Sequence, residues 1–467
     1  MLGLLHALQP LAHATTVAEC IRQLIDHPEQ HPVPAKNAYI VIIDPVSSGS
    51  VLAPIAHKRG YGVVSVETTK YYPILAQNSL RPENFDLRIQ YEDPELLARE
   101  LKSLPIAGSI IGFEGGIRKG AELHASLKKH GIPVVVNSPE YAETWVHKGA
   151  AQRAFKEAKM RSIPTLETSM LSEALAWARS AGYPIVVKPP SSAGSDLVFV
   201  CENEAELRRG FSKILTQADV FGVLNQTVIV QKDLIDPEGK NQLYIVDLVA
   251  RDGVNRIVWV KKYHLHRVPG HGYVFDKVEL LPLEGEDQKL VVDYAHDMTR
   301  ALHIDHGAAH FEIFVTEDRL GKRSAVGLDA AARLAGGASR NIVLRATGQD
   351  VAEILLDALT DKEKFLAEAD QHYKFTKGAW ILGISNPHSR AHMGDAATIQ
   401  ARLESLPSFA GYTQIHPSGS GLYKTKDLSS MLGLIQLVHE DPAQLARDEA
   451  AIRAWEAELL FYTPVTD

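Results

Sequence analysis

Two cysteines in 467 residues are too few for a disulfide framework, and Cys20 and Cys201 stand far apart in no metal-ligand spacing. That usage fits a reducing compartment. No uninterrupted apolar stretch approaches the ~18–20 residues of a membrane span. No run of five or more basic residues occurs and the formal net charge is -8, so nothing global points to nucleic acid or a membrane surface. Internal repeats, low-complexity segments and the phosphate loop G-x-x-x-x-G-K-[ST] are also missing. The opening MLGLLHALQPLAHATT is apolar and its AHA imitates a cleavage site, but no Lys or Arg precedes Arg22, and His6 and Pro10 interrupt the run. It reads as an amphipathic helix rather than a signal peptide. These absences predict a soluble cytoplasmic protein without nucleic-acid or membrane partners.

The length implies two or three domains. A hydrophobic fraction of 45% and a charged fraction of 23% are ordinary for a globular chain. After the linker HPVPAKN, the β-branched run AYIVIIDP (38–45) predicts a buried parallel strand. SSGS, the helix VLAPIAHKRG and the strand YGVVSVET complete a β-loop-α-β unit. SIIGFEGG, the helix AELHASLKKHG and a strand in IPVVVNSP repeat it more loosely, so the first ~140 residues read as an open α/β domain. Ligands in such sheets lie at the carboxyl ends of strands, where Ser47, Ser48 and Glu114 fall. Substrate contact and ordinary turn chemistry are both open for them.

Beyond Glu143 the pattern shifts. A helix opens near Lys148 and stops at Ile163-Pro164. In YPIVVKPPSSAGSDLVFV, Lys188 ends an apolar strand before a loop of small residues. Such a loop offers backbone N–H groups to phosphates, with the lysine as point charge; a strand-end lysine reaching to solvent is the alternative. GSGLY and SSGS are too short for dinucleotide fingerprints. Two hairpins follow, one turned at Asp252-Gly253 and one around EDRLGKRS. If the second turn centres on Leu320-Gly321, Glu312 faces Asp329. Facing carboxylates repel, so they share a proton, share a hard cation such as Mg²⁺, or lie solvated on an edge. His310 shares the face of Glu312, and Arg333 follows in RLAGGASRN, placed to hold a phosphate or carboxylate, or simply exposed.

The ordered set resembles the ATP-grasp superfamily from about Lys148 to Arg340. The resemblance implies a mixed α/β (α+β) architecture: an N-terminal open α/β domain (1–142), a small lid (143–230) and a C-terminal antiparallel-sheet catalytic domain (231–467). It implies that Lys148 and Lys188 contact ATP phosphates, and that Ser191, Ser192, Ala193, Gly194 and Ser195 form the lid loop. Gln231, Lys232 and Leu234 would be the adenine hinge and Glu238 the ribose acid. Glu312 and Asp329 would bind one or two Mg²⁺ ions. The segment LDAAARLAGG departs from the common E-x-N-x-R pattern, with Asp329 for Glu and Ala331 for Asn. Here the chain is similar to bacterial L-amino acid ligases, which implies that Arg333 stabilises an acyl phosphate. It further implies amino-acid substrates and a homodimer. Among His264, His266, His271, His306 and His310, the last is the expected proton acceptor for the amine. The implied reaction is ATP-dependent joining of two amino acids. A natural-product amide synthetase and a non-catalytic nucleotide-binding protein are the alternatives; no A-M-K-M-like carrier motif supports a biotin-dependent carboxylase.

Overall fold

The computed structural model describes residues 14–26, 34–236, 238–336 and 339–465. The predicted N-terminal helix lies mostly outside the described residues; Ala14–Asp26 is helical and buries Val17, Ile21 and Leu24, one stripe at helical spacing. Strands β1 (Tyr39–Ile43), β2 (Gly62–Glu67), β3 (Leu87–Gln90) and β4 (Ile106–Ile111) form a parallel sheet in the order β3-β2-β1-β4. Every residue of β1 and β2 is buried, which explains their unbroken apolar runs. The strand order reverses beside β1, so the loops after β1 and β4 meet. They do so backbone to backbone: a Cβ on Gly49 would fall 2.7 Å from the Gly112 Cα.

The strand expected in IPVVVNSP does not form. Ile132, Val134 and Val136 are buried in alternation, but the segment joins no ladder. Pro133 removes one donor, and the Asn137 side chain instead exchanges hydrogen bonds with the backbone N–H and C=O of His306. Alternation reports burial of one face, not a hydrogen-bonded neighbour.

A small antiparallel sheet follows: β5 (Thr165–Thr168), β6 (Ile185–Lys188), β7 (Phe199–Cys201) and β8 (Val228–Lys232), ordered β5-β8-β6-β7. Helices Leu171–Ala181 and Glu204–Thr216 cover it and give it a core of its own, including Ala178, Val187, Leu207 and Phe211. Helix Lys148–Glu157 bridges this sheet and the next.

The large sheet is built from β9 (Gln242–Arg251), β10 (Val254–Arg267), β11 (Tyr273–Leu281), β12 (Gly307–Glu317), β13 (Arg323–Ala331) and β14 (Gly378–Ile384). With β16 (Phe409–Gln414) and β18 (Gly433–His439) it reads β13-β12-β9-β10-β11-β14-β18-β16. Short strands β15 (Arg390–Met393), β17 (Gly421–Tyr423) and β19 (Tyr462–Pro464) make a three-stranded sheet over a separate C-terminal core. The first hairpin turns at Asp252-Gly253, both at positive φ, as a two-residue loop requires.

The second hairpin corrects the assumed turn. Its loop is the five residues 318–322, and Glu317 faces Arg323. A bulge at Leu328 then shifts the register by one, and only that shift sets Glu312 opposite Asp329.

Candidate active site

A cavity of about 500 Å³ opens between the small sheet, the large sheet and the loops after β1 and β4. Lys148 enters it from the first residue of its helix, whose start is capped by His147 Nδ1 accepting from the Ala150 N–H at 3.2 Å. Its Nζ donates to the Ser192 carbonyl at 2.8 Å and lies 2.9 Å from Asp329 Oδ2. Burial pushes this ammonium down, but Asp329, then Glu114 and Glu312, hold it above the ordinary lysine value. Lys148 therefore stays charged and ties the loop after β6 to the large sheet.

Lys188, the last residue of β6, is 5% exposed. Burial drives its ammonium down to about 8, with Asp329 opposing and Lys148 reinforcing the shift. Among the described residues it has no hydrogen-bond partner. A buried ammonium without one calls for an anion in the cavity.

Ser192, Ala193, Gly194 and Ser195 line the same wall. Gly194 and Ser195 are left-handed (φ +65° and +62°), and Asp196 Oδ2 accepts from Ser192 Oγ at 3.0 Å and the Val220 N–H at 2.7 Å. Ser191 lies off this wall, its Oγ accepting from Arg118 Nη2 at 2.9 Å. Gln231, Lys232 and Leu234 border the cavity. The Gln231 side chain donates to Thr165 Oγ1 and the Lys232 side chain to the Gly182 carbonyl, each at 2.8 Å, so both side chains are tied to neighbouring protein groups. Glu238 is not brought to the cavity: it is exposed and pairs with Lys240 at 2.6 Å. The acid on that wall is Asp233, held by the Tyr273 hydroxyl at 2.8 Å.

On the large sheet, Glu312, Asp329 and His310 point into the cavity. Asp329 has 26% of its side chain exposed, toward the cavity. Burial raises its carboxyl, but Lys148 and Lys188 hold it below the ordinary value. Among the described residues no three His, Cys, Asp or Glu side chains group as a metal cage. His310 Nδ1 lies 2.6 Å from Asp247 Oδ1 and Nε2 3.9 Å from Glu312 Oε1. Burial lowers the imidazole, but Asp247 raises it further, so the net shift is upward. Of the other candidate histidines, His264 pairs with Glu279, His271 packs against Phe199 and His306 accepts from the Asp252 N–H; with exposed His266, they lie off the cavity wall.

Arg333 leaves the end of β13 and meets Glu114 Oε2 at 2.5 Å. Besides Asp233, one more residue escaped the sequence reading. Asp247, 2% exposed on β9, accepts from Trp259 Nε1 and lies 3.6 Å from Lys261 Nζ as well as holding His310. Its signal was an acid inside the apolar run LYIVDLVA.

Residues 147–354 match the family Carbamoyl-phosphate synthase L chain, ATP binding domain, and the chain carries an ATP-grasp domain. Its mixed α/β fold, with parallel and antiparallel sheets, is that of the ATP-grasp ligases. Over nearly its whole length the chain is similar to dapdiamide A synthase of Enterobacter agglomerans, 26% identical over 427 residues, covering 90% of this chain and 96% of the relative. The L-amino acid ligase from Bacillus licheniformis superposes with a TM-score of 0.69 at 16% identity, over 92% of this chain and 99% of that one. The biotin carboxylase domain of Hydrogenobacter thermophilus 2-oxoglutarate carboxylase, solved with MgADP, ADP and bicarbonate, reaches 0.61 at 13% identity over 89% of each chain.

Proposed function

We propose that the protein is a cytoplasmic ATP-dependent ligase that activates a carboxylate as an acyl phosphate and couples it to an amine, joining two L-amino acids with release of ADP and phosphate. The observation that carries this reading is the unpartnered Lys188 ammonium facing the Glu312–Asp329 pair across one cavity. A cation and two carboxylates lining one cavity suit a nucleotide's phosphates and a hard metal ion together. The donor set fits Mg²⁺: two carboxylates, with no third His, Cys, Asp or Glu grouped with them among the described residues, leave the remaining positions to phosphate oxygens and water. Mg²⁺ held by Glu312 and Asp329 would neutralise phosphate charge. Ala331, where the family pattern has Asn, argues for fewer protein ligands to a second ion.

In this reading residues 1–142, 143–230 and 231–467 are the N-terminal, lid and catalytic units. Lys148, Lys188 and the backbone of 192–195 grip the phosphates. A substrate carboxylate oxygen attacks the γ-phosphorus, and the bond to the β–γ bridging oxygen breaks as ADP leaves. Arg333 balances charge on the acyl phosphate and on the tetrahedral adduct formed when the amine adds. Phosphate then departs and the amine's proton passes to His310. Because Asp247 favours the protonated ring, His310 must first release its own proton to serve as base. Closure of the small sheet over the phosphates would exclude water that hydrolyses the acyl phosphate. Amino acids are the proposed partners, in a homodimer.

ADP release with each amino-acid pair, followed by mass spectrometry of the product, tests the proposal. Turnover only with a different acid or nucleophile would favour a natural-product amide synthetase, the reading supported by similarity to dapdiamide A synthase. No ATP turnover with any acid would leave a nucleotide-binding protein.

A further inference from the structure

The ligase reading leaves Glu114 and Ser48 without a role. Glu114 opens the short turn Glu114–Gly116 after β4 and is 7% exposed; Ser48 lies in the turn Ser47–Val51 after β1 and is 9% exposed. Since β1 and β4 flank the point where strand order reverses, their loops border the crevice in which open parallel sheets hold a ligand. Here that crevice receives a piece of the same chain. Glu114 Oε2 takes the Arg333 Nη2, and Ser48 Oγ donates to the Ala335 carbonyl.

Arg333 needs such support. β13 ends at Ala331, and the described residues from there to Gly336 belong to no strand or helix. Apart from Glu114, the guanidinium's hydrogen-bond partner among the described residues is the Leu334 carbonyl, at 2.9 Å and one residue away. That local bond moves with the loop and cannot place it. A flexible arginine side chain samples many rotamers, and a displacement of about 1 Å in a reacting site costs up to ~100-fold in rate. The group that holds it, Glu114, comes from the N-terminal sheet, 219 residues away in sequence.

We infer that Glu114 is a positioning residue of the ligase reaction, its carboxylate fixing the Arg333 guanidinium against the cavity while Ser48 pins the loop at Ala335. The inference rests on the proposed ligase activity. It makes the N-terminal sheet part of the catalytic apparatus and not only a wall.

The test uses the full chain with ATP, Mg²⁺ and the acid substrate, with hydroxylamine as a small nucleophile that reports acyl phosphate as hydroxamate. E114Q keeps the volume and removes the charge. It is expected to lower kcat for both ADP and hydroxamate about 10- to 100-fold, with KM for ATP within about twofold. E114D should recover part of the loss. The double variant E114Q/R333A should be no slower than R333A alone, because both act through one guanidinium. A purely structural Glu114 would give losses that multiply, and that result overturns the inference. So does wild-type kcat in E114Q. Intact hydroxamate formation with a raised KM for the amine would make Glu114 a substrate ligand instead and equally overturn it. Wild-type protein that forms no ADP with any acid would sink the ligase reading itself, a failure distinct from an active wild type beside an unaffected E114Q.

Discussion

Replacing Asp329 with asparagine tests the proposed centre most directly, because it changes one charge and little shape. Lys148 Nζ lies 2.9 Å from Asp329 Oδ2, where unit charges attract by about 6 kcal/mol at an effective dielectric near 20. The asparagine oxygen can keep the hydrogen bond but not the charge. The penalty has a ceiling: at pH 7 a lysine can shed its proton for about 4.6 kcal/mol, the distance from its ordinary value of ~10.4. Loss of the partner should therefore cost roughly 3–5 kcal/mol, as when a buried pair is broken. The Lys188 ammonium loses its main counter-charge as well and should fall below its present value of about 8. Urea unfolding should show a lower midpoint for D329N, and saturating Mg²⁺-ATP should partly restore it only if the site still binds. Turnover should drop at least ~100-fold, the scale for removing one stabiliser of transition-state charge. ATP turnover at wild-type rate with unchanged Mg²⁺ dependence would refute both the metal assignment and the electrostatic argument.

K188M should trade affinity for stability: holding a lysine at about 8 instead of its ordinary value of 10.5 costs the folded state ~3 kcal/mol below pH 8, so the variant should melt higher while KM for ATP rises about tenfold or more. At Gly194, φ is +65° and an added Cβ would lie 3.1 Å from Leu428 Cβ, while the Leu428 N–H donates to the Gly194 carbonyl at 3.0 Å. G194V should cost ~1–2 kcal/mol of local strain and raise the ratio of ADP formed to product released; an unchanged ratio would detach this loop from water exclusion. His124, buried against Ser109, has its imidazole pushed down to about 3 by burial, with Lys128 adding to the shift. Its folded value is below the unfolded one near 6.5, so its contribution is complete above about pH 6.5 and fades as pH falls toward 3, by ~1.4 kcal/mol per unit. Unfolding at pH 7 and pH 5 should therefore differ by about 2 kcal/mol more in wild type than in H124Q.

Much of the fold was legible because its signals are local. YIVII is buried on both faces and says so in five residues; Asp252-Gly253 sits where a tight hairpin demands positive φ; Lys188 ends a strand before small residues. IPVVVNSP carried the same kind of signal and misled, since alternation records a buried face but not whether a neighbour lies within hydrogen-bonding distance. Glu238 matched an expected offset, yet the chain turns it outward and leaves Asp233 on the wall.

The sequence by itself determined the order of the chemistry-bearing groups: two lysines, a loop of small residues, H-x-E, a second acid and an arginine. It also marked β1, β2 and the two long hairpins, because side-chain periodicity and turn residues act over a few positions. Tertiary structure alone decided the pairings. The bulge at Leu328 puts Glu312 opposite Asp329, β9 lies beside β12 so that Asp247 meets His310, and the reversal of strand order beside β1 delivers Glu114 to Arg333. Each is a contact between residues distant in sequence or shifted by one position, and no local pattern encodes a distance across the fold.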